Sequence, residues 1–513
     1  MKAPRHFLSL RGRQHCFAAI IVGATLLAGC AIGPNYRRPQ VDVPARFRGQ
    51  TDKRPVSFAD LPWWRVFKDP TLQALIAEGL RNNDDLRIAV ARIEQARARR
   101  NEARSLFFPQ IGYTASANQT KLPHIKIPSQ KLPSTMPPVN IGGATLAIPP
   151  VTTPEIELGN QTVDTYIGSG VVSWEIDLWG SIRRTNEAAL ARLLATKEAR
   201  RGVVQMLVAE VAQTYFDLRE LDLEREIAKR AEDSFAKSLE LFTNQKTGGV
   251  ASGIQVSRAS AARANAAATI PEIERRIAVT ENKLCFLLGR NPGPISRGQS
   301  LGDQQFIPSV PAGIPAALLA RRPDLRQAEM SLVAANAQIG VAEADFLPKI
   351  DLTAAAGAVN SQLQLLKISG EFWNLGANAT GPIFQGGRLL ARFRESKAQW
   401  KEARAQYNQT ALNAFGEVSN ALISRQKLVR SRIEREKQVS ALRDSVRIAR
   451  DRFQLGLANY YELLEAQQQL FPAESALAQT QLNQQLAIVE LYKALGGGWD
   501  NGPTLRVECK TRR

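Results

Sequence analysis

Near the end of the chain, "FQLGLANYYELLEAQQQL" (Phe453–Leu470) sets two carboxylates, Glu462 and Glu465, three residues apart behind a turn-like Gly-Leu-Ala-Asn. Residues at i and i+3 share one helical face. Two acids so placed offer either carboxylate acid–base chemistry or a pair of fixed charges. The stretch has an earlier counterpart in "NQKTGGVASGIQVSRASAA" (Asn244–Ala262), where Gln255 and Arg258 stand at the matching positions. Nothing else supplies a catalytic set. His6 and His15 lie in the first 29 residues, and His124 stands alone in a proline-rich stretch. There is no CxxC, no HExxH, no phosphate-binding glycine loop and no nucleophile elbow, so no catalytic residue, metal site or bound cofactor is expected.

The only strongly apolar run is at the start. "CFAAIIVGATLLAGC" follows Lys2, Arg5, Arg11 and Arg13, the pattern of a secretory signal rather than of a fold element. It ends in Leu27-Ala28-Gly29-Cys30, which resembles a bacterial lipobox. The resemblance implies cleavage after residue 29, a covalent lipid on Cys30, and sorting to the outer membrane because Ala31 rather than Asp follows. Several acyl chains on one residue make an anchor stable where one chain does not. Loss of the signal lowers the formal charge from +19 to +15. The lysines and arginines alternate with glutamates, as in "LVRSRIEREKQVSALRDSVRIARDR", which is a solvated helix surface and not a nucleic-acid patch. The remaining cysteines, Cys285 and Cys509, are too few for a disulfide framework, and their pairing is left open.

The elements that must position the two acids are written twice. "NNDDLRIAVARIEQARARRNEARSLFFPQI" (82–111) aligns with "RRPDLRQAEMSLVAANAQIGVAEADFLPKI" (321–350) at an offset of 239. Further on the offset becomes 207, pairing Gly249 with Gly456, Ser252 with Asn459, and "LLGRNPG" (287–293) with "ALGGGWD" (494–500). The 32 extra residues of the first copy fall in the proline-rich segment 121–159, which reads as an exposed loop. Proline-free runs from Ser181 to about Lys246 and from Arg388 to about Leu455 predict two very long helices, each roughly 100 Å if continuous. Val204, Val208, Val211, Tyr215 and Leu218 are spaced by four and three, and Ala411, Phe415, Val418 and Leu422 repeat the phase. Sustained spacing of this kind predicts coiled-coil-like packing.

Four segments switch to period two. In "QIGYTASANQ" Ile111, Tyr113, Ala115 and Ala117 alternate with polar residues, and "TYIGSGVVSWEID", "KIDLTAAAGAV" and "EFWNLGANATGPIF" do likewise. Each matches the 9–11 residues that cross an outer membrane obliquely. Four strands cannot close a barrel, and open edges are not tolerated in lipid. Copies must therefore combine, as a twelve-stranded trimer or an eight-stranded dimer. Eight strands would be filled by side chains, so a conduit favours the trimer.

The residues "LAGC", "GPNYRRP" (33–39), "SWEIDLWGSIRR" (173–184), "GPIFQGGR" (381–388) and "LYKALGGGW" (491–499), with the duplication, resemble the TolC-like outer-membrane efflux factors, and among them the lipidated OprM-type branch. The resemblance spans nearly all of 30–500. It implies an α+β outer-membrane efflux protein fold: duplicated helix-strand-strand-helix repeats that form a homotrimer with a twelve-stranded β-barrel and a long periplasmic α-helical tunnel. The organisation expected is a signal peptide (1–29), a lipidated equatorial segment (30–70) and a first repeat (71–289, strands near 108–120 and 163–178). An equatorial linker (290–315), a second repeat (316–497, strands near 348–359 and 372–384) and a tail (498–513) follow. The implied role is the passive exit duct of a tripartite multidrug or small-molecule efflux pump. Its partners would be a periplasmic adaptor (membrane fusion) protein, an inner-membrane transporter of the resistance-nodulation-division type, and outer-membrane lipid. The competing readings are the channel of a type I protein secretion system and a periplasmic adaptor lipoprotein.

Such a duct must be shut at its periplasmic end, and the turns at 247–252 and 455–459 are the natural tips. Gly249 and Gly456 suit the left-handed residue that ends a helix. Ser252 with Gln255, and Asn459 with Glu462, have the spacing of a capping box. By resemblance Glu465 belongs to an acidic ring at the constriction. Glu462 is expected to act chiefly as a cap with a secondary gate role, and Arg258 to pair with an acid of a neighbouring hairpin.

Overall fold

A computed structural model describes residues 31–50, 57–304 and 311–499, apart from 364–365 and scattered positions between 124 and 160. The expected signal (1–29), Cys30, His124 and residues 500–513 of the tail, with Cys509, lie outside the described residues. The chain divides into two compact units. One holds the chain up to Gly33, Asn101–Asn186 and Gly340–Phe393; the other holds Pro34–Arg100, Glu187–Ile339 and the chain from Arg394 onward.

The first unit is built on one sheet. Strands β1 (Gln110–Leu122), β2 (Gln161–Ile176), β3 (Lys349–Leu363) and β4 (Leu366–Thr380) are antiparallel and lie in chain order, so β1 and β4 are its edges. The register brings the alternating residues together in rows. Ile111 pairs with Val172, Val172 with Ala354, and Ala354 with Leu375, which puts an apolar residue from every strand on one face. The next row on that face runs Tyr113, Gly170, Ala356, Trp373. These side chains have little cover among the described residues: Ile111 is 82% exposed, Tyr113 87%, Trp373 77% and Leu375 72%. The opposite face carries Thr114, whose hydroxyl lies 2.9 Å from that of Ser169, and Thr165, whose hydroxyl lies 3.1 Å from that of Ser361.

Two sequence expectations differ in detail. The fourth strand begins at Leu366 rather than near 372, because Lys367 and Ile368 pair with Gln362 and Ser361 of β3. It ends at Thr380, where Gly381-Pro382 removes a ladder donor. The segment 121–159, read from the sequence as an exposed loop, carries short strand pairs and gives its first two residues to β1. Short ladders join Ile125–Ile127 to Ile156–Leu158, Lys131–Leu132 to Val151–Thr152, and Val139–Ile141 to Ala144–Leu146. β-Branched residues supply much of the pairing, and the prolines of the segment fall in the sequence between the ladders.

The second unit is helical. Helices α1 (Pro70–Asn82) and α2 (Asp84–Ser105) precede the sheet, and α3 (Ser181–Thr247) and α4 (Gly253–Leu287) follow its first strand pair. Helices α5 (Pro323–Ala344), α6 (Arg388–Gln454) and α7 (Tyr460–Ala494) repeat the pattern. α3 and α6 are each 67 residues long, and α4 and α7 are each 35. The stripe from Val204 to Leu218 is buried throughout, as are Ala411, Phe415, Val418 and Leu422, so the three-and-four spacing marks the packed seam. Pro271 and Pro472 sit inside α4 and α7 at positions related by six residues less than the 207 offset.

Around this seam the non-repeated segments form a collar. Phe47, Phe58, Trp63, Val66 and Phe67 join Leu288, Ile295, Leu301, Ala312 and Tyr492 in one core. Its polar centre is Asp69, which is fully buried. The Asp69 carboxylate accepts the Thr71 N–H (2.9 Å), the Tyr215 hydroxyl (2.7 Å), the Gln299 N–H (3.1 Å) and the Gln304 Nε2–H (3.0 Å). One side chain therefore caps α1 and holds α3 and the 298–304 loop. Burial, then the hydrogen bond to Asp69, pushes the Tyr215 hydroxyl pKa up. Motif residues at the start of the chain dock in the same unit. Arg38 grips the buried Glu329 of α5 with two bonds (2.6 and 2.5 Å), and the Tyr36 hydroxyl donates to the same carboxylate (3.3 Å).

Candidate functional site: the paired helical tips

The two turns that carry the candidate residues have the same construction. α3 ends in a Schellman motif, in which Gly249 N–H donates to Lys246 O (3.0 Å) and Val250 N–H to Gln245 O (2.9 Å). α6 ends alike, with Gly456 N–H on Phe453 O (3.0 Å) and Leu457 N–H on Arg452 O (2.9 Å). Gly249 has φ +76° and Gly456 φ +72°, the left-handed conformation this motif requires.

The caps that follow differ. Ser252 and Gln255 close a capping box, with Gln255 Oε1 accepting the Ser252 N–H at 2.9 Å. At the second tip Asn459 caps alone, its Oδ1 accepting the Tyr461 N–H at 3.3 Å. The reciprocal bond expected from Glu462 is not formed. An amide side chain can cap the second helical position without help from the third, which leaves Glu462 free to point into solvent, where its charge still opposes the positive helix end.

Glu462, Glu465 and Arg258 are all exposed. Glu465 Oε1 accepts from Gln469 Nε2 one turn further along α7 at 3.2 Å. Arg258 makes no salt bridge within the chain among the described residues. The structure thus brings the two glutamates to one open helix face, and no ion pair joins Arg258 to either of them.

What holds the tips together lies behind them. Phe235, Phe242, Ala259, Ala262, Ala266, Val446, Ala449, Tyr460, Leu463, Leu464 and Ala466 form a second core, separate from the collar. Tyr460, the first residue of α7, packs against Phe242 of α3 with ring centroids 3.8 Å apart and planes tilted by 54°. Burial pushes its hydroxyl pKa up to about 12. Gln467 Nε2 donates to Ser234 Oγ (2.9 Å), and Glu474 takes Arg443 at 2.6 Å while Arg230 lies 3.7 Å away. A cavity of about 630 Å³ lies beside these residues, lined by Arg230, Ser234, Phe453 and Glu474 among others. Sequence reading missed Ser234 and Gln467. Gln467 is buried on the helix face marked by Leu463 and Leu464, three and four residues before it, and an amide at that apolar phase was the available signal.

Comparison with known proteins places these features. The family description "Outer membrane efflux protein" matches residues 75–290 and 314–497. The chain is 34% identical over 483 residues to the solvent efflux pump outer membrane protein SrpC of Pseudomonas putida, covering 92% of this chain and 96% of the relative. It is 30% identical to the cation efflux system protein CusC of Escherichia coli, covering 93% and 97%. The open state of the Neisseria gonorrhoeae MtrE outer membrane channel superposes with a TM-score of 0.76 at 28% identity, covering 92% of this chain and 99% of that one. The duplicated helices, the four-stranded sheet and these similarities over almost the whole chain agree: the chain belongs to the outer membrane efflux protein family, as one of its TolC-like channel proteins rather than an enzyme.

Proposed function

We propose that the protein is the outer-membrane exit duct of a tripartite efflux pump, a lipoprotein acylated at Cys30 that works as a homotrimer and conducts passively. The observation that carries the reading is the open sheet. Its edge strands β1 and β4 leave backbone donors and acceptors unpaired, while one face is apolar and uncovered. Lipid supplies no hydrogen bonds, so three such sheets joined edge to edge into twelve strands are what satisfy those groups. In this reading the two 67-residue helices of each copy supply a periplasmic tunnel. SrpC and CusC are named for solvent and cation efflux, and this supports small solutes as cargo, passed on by an adaptor and an inner-membrane transporter of the resistance-nodulation-division type. Val250 (81% exposed), Leu455 (73%) and Leu457 (68%) give the tips the apolar surface such an adaptor would cover.

Glu465 forms the periplasmic constriction in this account. Three copies around an axis make a ring of like charge, which favours cations and resists collapse. Glu462 adds charge one turn nearer the tip, and Arg258 pairs with an acid of the neighbouring hairpin. Glu465→Ala is expected to raise single-channel conductance in planar bilayers and to lower the preference for cations by about tenfold. Unchanged conductance and selectivity would remove Glu465 from the constriction. Arg258→Glu combined with Glu465→Arg should behave closer to wild type than either change alone, whereas additive defects would break the pairing.

A further inference from the structure

The first described residues of the chain lie in a slot that nothing above explains. Ile32 N–H donates to Trp179 O at 3.0 Å. The Arg184 guanidinium reaches back to the same segment, with Nε on Ile32 O (3.2 Å) and Nη2 on Gly33 O (3.0 Å). Arg184 is only 4% exposed, so a buried cation is held by main-chain carbonyls of residues 32 and 33. Three glycines make the room. A Cβ on Gly180 would lie 2.7 Å from both Ala31 Cα and Cβ; one on Gly340 would lie 2.7 Å from Ile32 O; one on Gly33 would collide with Gly340 Cα. Gly33 and Gly180 also have φ of +97° and +84°, conformations that exclude most side chains. Asp177 fixes the far wall by accepting the Ile182 and Arg183 N–H groups at 2.9 Å.

The slot grips the backbone of residues 32 and 33 and admits no Cβ at residue 33, so it holds one short stretch of the chain in a fixed position. That position is one peptide bond from Cys30, and covalent geometry keeps the two α-carbons about 3.8 Å apart. The walls are the residues between the end of β2 at Ile176 and the first turn of α3, next to Pro348 O, which accepts the Trp179 indole N–H at 2.7 Å just before β3 begins. We infer that Arg184 with Gly180 and Gly340 forms a docking slot that fixes where the lipid anchor leaves the protein, at the end of the two central strands, so that acyl insertion and sheet insertion occur at one place. This rests on the reading of Cys30 as acylated. Arg184 acts as a positioning residue: it touches neither lipid nor solute.

The test loosens the tether without touching the folded body. A flexible Gly/Ser linker of about ten residues is inserted between Cys30 and Ala31, and the full chain is expressed with labelled palmitate. Effective concentration falls roughly as the −3/2 power of tether length, so palmitate should be incorporated as in wild type while heat-modifiable trimer in the outer membrane drops by about tenfold early in a pulse-chase. Arg184→Ala should give a similar loss, and the two changes together should be no worse than either. Normal trimer formation by the linker variant would overturn the inference, and so would additive losses, which would make the slot a mere staple of the fold. Absence of palmitate from the unaltered protein would overturn the lipoprotein reading itself, and the inference with it.

Discussion

Replacing Gly357 by valine is expected to abolish the trimer proposed for the outer membrane. Gly357 lies in the middle of β3, opposite Ser169 of β2 and Phe372 of β4. A Cβ there would collide with the Gly168 carbonyl oxygen and lie 2.5 Å from Ser169 Cβ. The first is a main-chain atom and the second is fixed to one, so neither can rotate aside as the end of a long side chain would. The strands must part, and β2 with β3 is the seam that joins the hairpin of the first repeat to that of the second. Overpacking alone costs about 1–3 kcal/mol, and each ladder bond lost adds about 1 kcal/mol. Gly370→Val is the control. Gly370 sits on the adjacent strand, where an added Cβ would have nothing within 4 Å, so that variant should yield heat-modifiable trimer at the wild-type level.

Asp69→Ala should have the second largest effect, in the collar instead of the sheet. It removes the cap of α1 and strands four donors from three parts of the chain, among them the Tyr215 hydroxyl and the Gln304 amide. A lost cap costs about 1 kcal/mol, and bonds to a charged acceptor are worth about 1.5–3 kcal/mol each. Even with partial relaxation the sum is on the order of 5 kcal/mol. Asp69→Asn keeps one acceptor oxygen but turns an NH2 toward donors, so it should fall between alanine and wild type. The readouts are the thermal midpoint of purified protein and the rate at which protease cuts the 290–315 segment. A midpoint unchanged by alanine would show that the network is dispensable.

These two positions mark the limit of what the sequence made legible. The long helices could be read because they lack proline and keep their apolar residues at spacings of four and three, a signal contained in each segment. The strands could be read because period two is equally local, and the edges followed from counting four of them. Asp69 could not be found this way. Its partners are 146, 230 and 235 residues away, and an aspartate before a proline looks like any other helix cap. Gly357 likewise looks like an ordinary small residue in "TAAAGAV" until a neighbouring strand is laid against it. The short strand pairs within 125–158 were hidden by the prolines of the segment, which obscure ladders of two or three residues. At the tips, glycine and cap spacing gave both turns correctly, but not that Asn459 would cap without Glu462, since an N-cap can bond either of two amides. The role proposed for Glu465 needs symmetry mates, and a single chain shows only an exposed carboxylate six residues past the cap.

The central claim is that sheets of separate copies join edge to edge around a pore. Thr114 of β1 shares a face with Ser169, Gly357 and Phe372, so a cysteine at 114 should meet only even-numbered positions of β4 across a closed barrel. Opposed side chains in a sheet lie about 4.5–5.5 Å apart at Cβ, close enough for oxidation to link them. Thr114→Cys, combined one at a time with cysteines along Phe372–Asn378, is predicted to give covalent dimers and trimers in outer-membrane fractions at even positions and none at odd ones. A mature chain that stays monomeric and uncrosslinked at every position would contradict the account.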